Sequence, residues 1–129
     1  MLLEKGQFLE PFPSEAVGQP EYSFWNCQEV ALTEPNFYYW EGYASDTHFR
    51  PLPVAHAWLQ MEDKPAAIDI TWGTGLCYFG IPFQTDWIAD LLKQRAAIGS
   101  DTRQVLSYRC QLSLRILRDG LQPEMVRGD

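Results

Sequence analysis

Three residues whose chemistry depends on being brought together stand in the first half of the chain: Cys27, His56 and Asp69. A thiol attacks as its thiolate. That anion is favoured at the start of a helix, where unpaired N–H groups and partial positive charge face it. It also needs a base, and a histidine serves when a carboxylate fixes its tautomer and stabilises the imidazolium. In "FWNCQEVAL" (24–32), Asn26 can cap a helix and Glu29 completes an N-x-x-E capping box, while Pro35 disfavours helical geometry at Glu34. A short helix is therefore expected over about 27–33, with Cys27 in its first turn. The chemistry this supports is thiolate attack on an amide carbonyl, an acyl-enzyme, and release to water or an amine.

The base and the acid must be delivered by strands. "VAHAWLQM" (54–61) reads as a strand after Pro53, "EDKP" as a turn and "AAIDITW" (66–72) as the returning strand of a hairpin. A turn near Glu62–Lys64 sets His56 and Asp69 opposite each other on one face, with β-carbons roughly 5 Å apart. An aspartate between Ile68 and Ile70 is costly to bury unless something donates to it, and this register supplies His56 as the donor. Each residue taken singly has a plainer reading, as a buried thiol or a satisfied core histidine. Order, element type and register together favour the triad.

The remaining segments fill out an α+β chain. Pro11, Pro13, Pro20, Gly6 and Gly18 make residues 1–23 an irregular arm, and "NFYYWEGYA" (36–44) reads as a strand. "LCYFGIPF" (76–83) is a further strand, interrupted by Gly80 and Pro82 and so expected to bulge or lie at an edge. "TDWIADLLKQRAAIG" carries the clearest helix pattern, capped by Thr85 or Asp86, with Trp87, Ile88, Leu91 and Leu92 on one stripe and Gly99 past its end. Over 101–118 both a strand alternation and a helical stripe fit, the strand slightly better. The expected architecture is one domain over 1–129: a short Cys-bearing helix on a small antiparallel sheet, plus one helix in the C-terminal half.

Composition narrows the partners. Ten Lys and Arg against seventeen Asp and Glu give a formal charge of −7, which repels phosphate backbones and anionic lipid, so neither nucleic acid nor membrane is an expected partner. No stretch approaches the roughly 20 apolar residues of a membrane span. "MLLEKGQFLEPF" lacks the positively charged lead of a secretory signal, and three cysteines suit a reducing compartment, so cytoplasmic residence is expected. Cys77 and Cys110 read as buried thiols. Neither these cysteines nor Asp46 with His48 show zinc-ligand spacing, and no phosphate-binding glycine motif occurs, so no metal or cofactor is expected.

"HAWLQMEDKPAAIDITW" resembles the His and Asp hairpin of the transglutaminase-like branch of the papain-fold cysteine enzymes, and "NCQEVAL" followed by "YYWEGYA" is similar to that family's cysteine helix and next strand. The resemblance spans about residues 26–72 and implies Cys27 as nucleophile, His56 as general base and Asp69 as its orienter. Gln28 and Ile70 stand where the family frequently has tryptophan and proline, and the family includes proteases, cross-linkers, deamidases and inactive relatives. An oxyanion hole would use the Cys27 N–H with Gln19 or Asn26 as second donor. Trp25, Tyr43, Trp58 and Trp72 would line the cleft, or equally form sheet core. A protein or peptide substrate follows from the enzyme reading. The alternative is a non-catalytic protein-binding accessory or inhibitor domain of phage or bacterial type that retains the fold.

Overall fold

The computed structural model describes residues 6–46, 52–106 and 121–127. Its elements in chain order are β1 (Gln7–Pro11), α1 (Ser23–Thr33), β2 (Phe37–Ser45), β3 (Val54–Met61), β4 (Ala66–Ala67), β5 (Cys77–Phe83) and α2 (Thr85–Ala97). The aromatic run of β2 lies between β3 and β5, so Trp40 stands opposite both Trp58 and Pro82, and Gly42 opposite both His56 and Gly80. β1 pairs antiparallel with β5 and parallel with β4, giving the order β3-β2-β5-β1-β4. Just after β4, Ile68 exchanges backbone hydrogen bonds of 2.7 and 2.9 Å with Leu59 of β3, which curls the sheet back towards its first edge.

Alternation along these strands separates two apolar layers. The inner face holds Trp40, Ala44, Trp58, Ala67 and Tyr78. The outer face presents Tyr39, Ala57, Leu59, Ile81 and Phe83, covered by Cys27 and Ala31 of α1 and by Ile88 and Leu91 of α2. The hydrophobic gain is about 1.5–3 kcal/mol for each large side chain fully removed from water, and Trp58, Leu59, Ile81 and Phe83 are all within 1 % of complete burial. Curling is eased where β2 and β5 meet at Gly42 and Gly80. A β-carbon on Gly80 would lie 2.5 Å from the Glu41 carbonyl and 2.7 Å from the Trp58 ring, so only hydrogen fits beneath that indole.

Several expectations need correction. The segment 1–23 is not wholly irregular, because Gln7–Pro11 adds a strand between β5 and β4. That parallel pairing makes the sheet mixed rather than antiparallel. β5 is central, not an edge: β1 pairs only with Tyr78–Gly80, so Pro82 lies beyond the ladder that would need its missing N–H. The returning strand of the 54–72 hairpin shrinks to Ala66–Ala67 plus the Ile68 bridge, after which the chain turns. The C-terminal-half helix forms as expected, with Gly99 at φ 79° beyond its end, although neither Thr85 nor Asp86 caps it and Gln84 occupies the cap position. Residues 101–106 form neither helix nor strand, and the rest of the 101–118 segment, with Cys110, lies outside the described residues. Among the described residues no helix is long and apolar enough to cross a membrane.

Candidate functional site

Asp69 is completely buried and its carboxylate collects four donors. Oδ1 accepts the backbone N–H groups of Thr71 (3.0 Å) and Trp72 (2.9 Å), an Asx-type turn that ends the strand and bends the chain. Oδ2 accepts His56 Nε2 at 2.9 Å and the Tyr78 hydroxyl at 2.8 Å. Tyr78 in turn accepts the Gly75 N–H, and burial followed by the Asp69 charge holds its phenol well above the ordinary value, so it remains a donor. Because an ionised carboxylate only accepts, the hydrogen of this bond is carried by Nε2, and in that tautomer the lone pair lies on Nδ1. Trp72 stacks on the ring at 3.7 Å between centroids and 20° between planes, fixing its orientation.

The expected register was off by two residues. Leu59 faces Ile68, so the same hairpin line would set His56 opposite Thr71 rather than Asp69. A slip of two keeps every side chain on its face, where a slip of one would have reversed it. His56 therefore meets Asp69 on the diagonal, and both project into the inner layer.

Cys27 departs further from expectation. α1 starts at Ser23, so Cys27 is its fifth residue rather than part of the first turn. The capping box does not form, because the Asn26 N–H already donates to the Tyr22 carbonyl at 2.8 Å. From the fifth residue onward, helical N–H groups bond back to the carbonyl four residues earlier, which removes the Cys27 N–H as a free oxyanion donor. The thiol is fully buried with Tyr39, Ala57 and Leu59 on the outer face, the other side of β3 from His56. Burial first, and then the nearby Asp69 charge, raise it well above the ordinary thiol value. Among the described residues no hydrogen bond joins Sγ to the imidazole.

The other candidate residues divide by position. Asn26 is a clamp: Oδ1 accepts the Gln19 N–H at 3.1 Å, and Nδ2 donates to the Gln19 carbonyl (2.8 Å) and to Thr71 Oγ1 (3.0 Å). The helix is thereby tied to the turn that carries Asp69; the Asn26 amide is taken up by these bonds, and the Gln19 side chain is exposed. Trp72 belongs to the site through its stack on His56. Trp58 shares the inner layer but is wholly buried over Gly80. Tyr43 pairs with Ala55 and points to the outer face, 47 % exposed, and Trp25 is exposed on α1. Cys77 is exposed rather than buried. His48 lies outside the described residues.

Two participants escaped sequence reasoning. Thr71 was legible in principle, since it shares the alternation of Asp69 in "IDITW". Tyr78 was not, because nothing in "LCYFGIPF" distinguishes an aromatic core residue from a donor to a carboxylate nine residues earlier. A second buried polar cluster lies under the outer face. Glu41 accepts Tyr39 OH at 2.6 Å, Val105 N–H at 2.7 Å and Leu106 N–H at 2.8 Å. Buried Arg95 donates to the carbonyls of Thr102, Gln104 and Val105, and Gln28 Nε2 donates to Tyr39 OH and the Arg103 carbonyl. Together these hold the 102–106 loop against β2. Among the described residues no group of three or more His, Cys, Asp or Glu could hold a metal ion.

Compared with family models, curated proteins and solved structures, the chain matches none.

Proposed function

We propose that this chain is a small cysteine hydrolase or acyltransferase acting on an amide bond, with Cys27 as nucleophile, His56 as general base and Asp69 as orienter. The observation that carries the reading is the buried His56–Asp69 pair at 2.9 Å, whose tautomer leaves Nδ1 as the basic nitrogen. The Asn26–Thr71 bond supports it by tying the cysteine helix to the same turn. In this reading the fold is resting: substrate entry at the start of α1 would have to expose the thiol and bring it to Nδ1, where the ring takes its proton and later returns it to the leaving amine. A protein or peptide is the substrate class this implies.

One observation favours a second reading, a protein-binding module that keeps the pair as internal structure. The thiol is sealed and its proton is held tightly, opposite to what a ready nucleophile requires. Alkylation separates the two. The enzyme reading expects iodoacetamide to modify Cys27 at neutral pH faster than Cys77, with the Cys27 rate falling at least tenfold in His56→Ala. Modification of Cys27 only on unfolding, at the same rate in both proteins, would establish the binding module instead.

A further inference from the structure

A cavity of about 350 Å³ opens at the end of the curled sheet where β2 begins and β5 ends. Its walls include Leu9, Tyr38 and Trp40, and its polar lining includes Gln60, Glu62 and Arg127. The amide of Gln60 is already engaged, accepting Trp40 Nε1–H at 2.9 Å and donating to the Lys64 carbonyl at 3.2 Å. That leaves two charged groups at the cavity with hydrogen-bonding capacity to spare. Arg127 is the better placed. Its backbone N–H donates to the Pro82 carbonyl at 2.9 Å, the neighbouring Val126 bridges Phe83, and its guanidinium carbon lies 3.3 Å above the centre of the Tyr38 ring. A guanidinium laid flat on an aromatic face keeps its N–H edge directed sideways, suited to a planar anion. Among the described residues no carboxylate is paired with it.

We propose that this cavity binds a small organic monocarboxylate with a flat apolar body: the carboxylate meets the edge of Arg127, and the body lies against Leu9 and Pro65, above the buried Trp40. Glu62, on the same lining, disfavours a second negative charge on the ligand and so selects a monoanion over a dianion. The site has no residue in common with His56, Asp69 or Cys27 and stands or falls apart from them. The lining is somewhat more polar than apolar, as suits a ligand held by its charged end, and the volume lies within the range of small-ligand sites.

The test uses phenylacetate, phenethylamine and succinate as probes, followed by ¹H–¹⁵N NMR of the full chain. Phenylacetate is expected to bind saturably with a Kd of about 1 mM, as suits a ligand of about ten non-hydrogen atoms, and to shift the Trp40 indole N–H signal. Arg127→Gln should weaken it at least tenfold while leaving the spectrum elsewhere unchanged, since the backbone bond to Pro82 remains. Arg127→Lys should give an intermediate loss, and Glu62→Gln should retain phenylacetate while admitting succinate. Absence of saturable shifts, equal binding by Arg127→Gln, or equal binding of phenethylamine overturns the proposal.

Discussion

Asp69 shows how one side chain can set the character of a site. Four donors converge on a carboxylate with no access to water, so its removal orphans two backbone N–H groups, a phenol and an imidazole at once. Each buried group left unsatisfied costs about 1–3 kcal/mol, and Asp69→Ala should lose at least about 4 kcal/mol in urea unfolding. Asp69→Asn should behave differently. Its oxygen still serves Thr71 and Trp72, while its NH₂ faces His56 and forces the hydrogen to Nδ1, with a stability loss of only about 1–2 kcal/mol. Ring ¹⁵N shifts of His56 report that reversal directly; an unchanged tautomer in the asparagine variant would show that Asp69 does not control the ring.

At the level of elements, the join between α1 and the 69–73 turn is made by Asn26. Its side chain spans Gln19 and Thr71 with three hydrogen bonds, and Gly18 packs so closely that an added β-carbon would fall 2.4 Å from Asn26 Nδ2. Asn26→Ala removes all three bonds, leaves the Gln19 N–H without its partner and leaves the Gln19 carbonyl only the Tyr22 N–H at 3.3 Å, an expected cost of about 2 kcal/mol. Hydrogen exchange should quicken at the Gln19 amide and stay slow in β2 and β5. Equal acceleration in those strands would mean the clamp serves the whole fold and not this junction. The close approach of β2 and β5 depends on a different feature, the Gly42–Gly80 pair, where any side chain would push the backbones apart.

Over the whole molecule, stability is coupled to pH through the cluster that pins the 102–106 loop. Burial pushes Glu41 from 4.5 up to about 7, against the opposing pull of the Leu106 N–H, the Tyr39 hydroxyl, the Val105 N–H and Arg95. A folded value above the unfolded one means that the stabilisation is complete below the unfolded value and is lost as pH rises through the folded one. The difference corresponds to on the order of 3 kcal/mol, lost between about pH 4.5 and pH 7 and above. Urea unfolding at intervals from about pH 5 to pH 9 should show this decline in the parent chain. Glu41→Gln starts less stable, because its amide NH₂ cannot accept a backbone N–H, but its stability should be flatter with pH. Identical slopes would assign the decline to other groups.

The sequence by itself determined the local chemistry: an aromatic strand at 36–44, strands at 54–61 and 76–83, the helix ending before Gly99, and the meeting of His56 with Asp69. These rest on periodicity and on a turn only a few residues long, and the contact survived a misjudged register because a shift of two leaves the face unchanged. Tertiary structure alone decided where α1 begins, since Asn26 is drawn away from capping to bind Gln19 and Thr71, and so it decided that Cys27 is sealed in the outer layer. It also decided that Gln7–Pro11 joins β5 to β4, that Tyr78 reaches Asp69, and that Glu41 and Arg95 hold a distant loop. Some of these pairings join residues far apart in the chain, and even the nearer ones, Tyr78 with Asp69 and Arg95 with the 102–105 carbonyls, cross from one element to another. No local period encodes them, because their free energy exists only once the sheet has curled and excluded water.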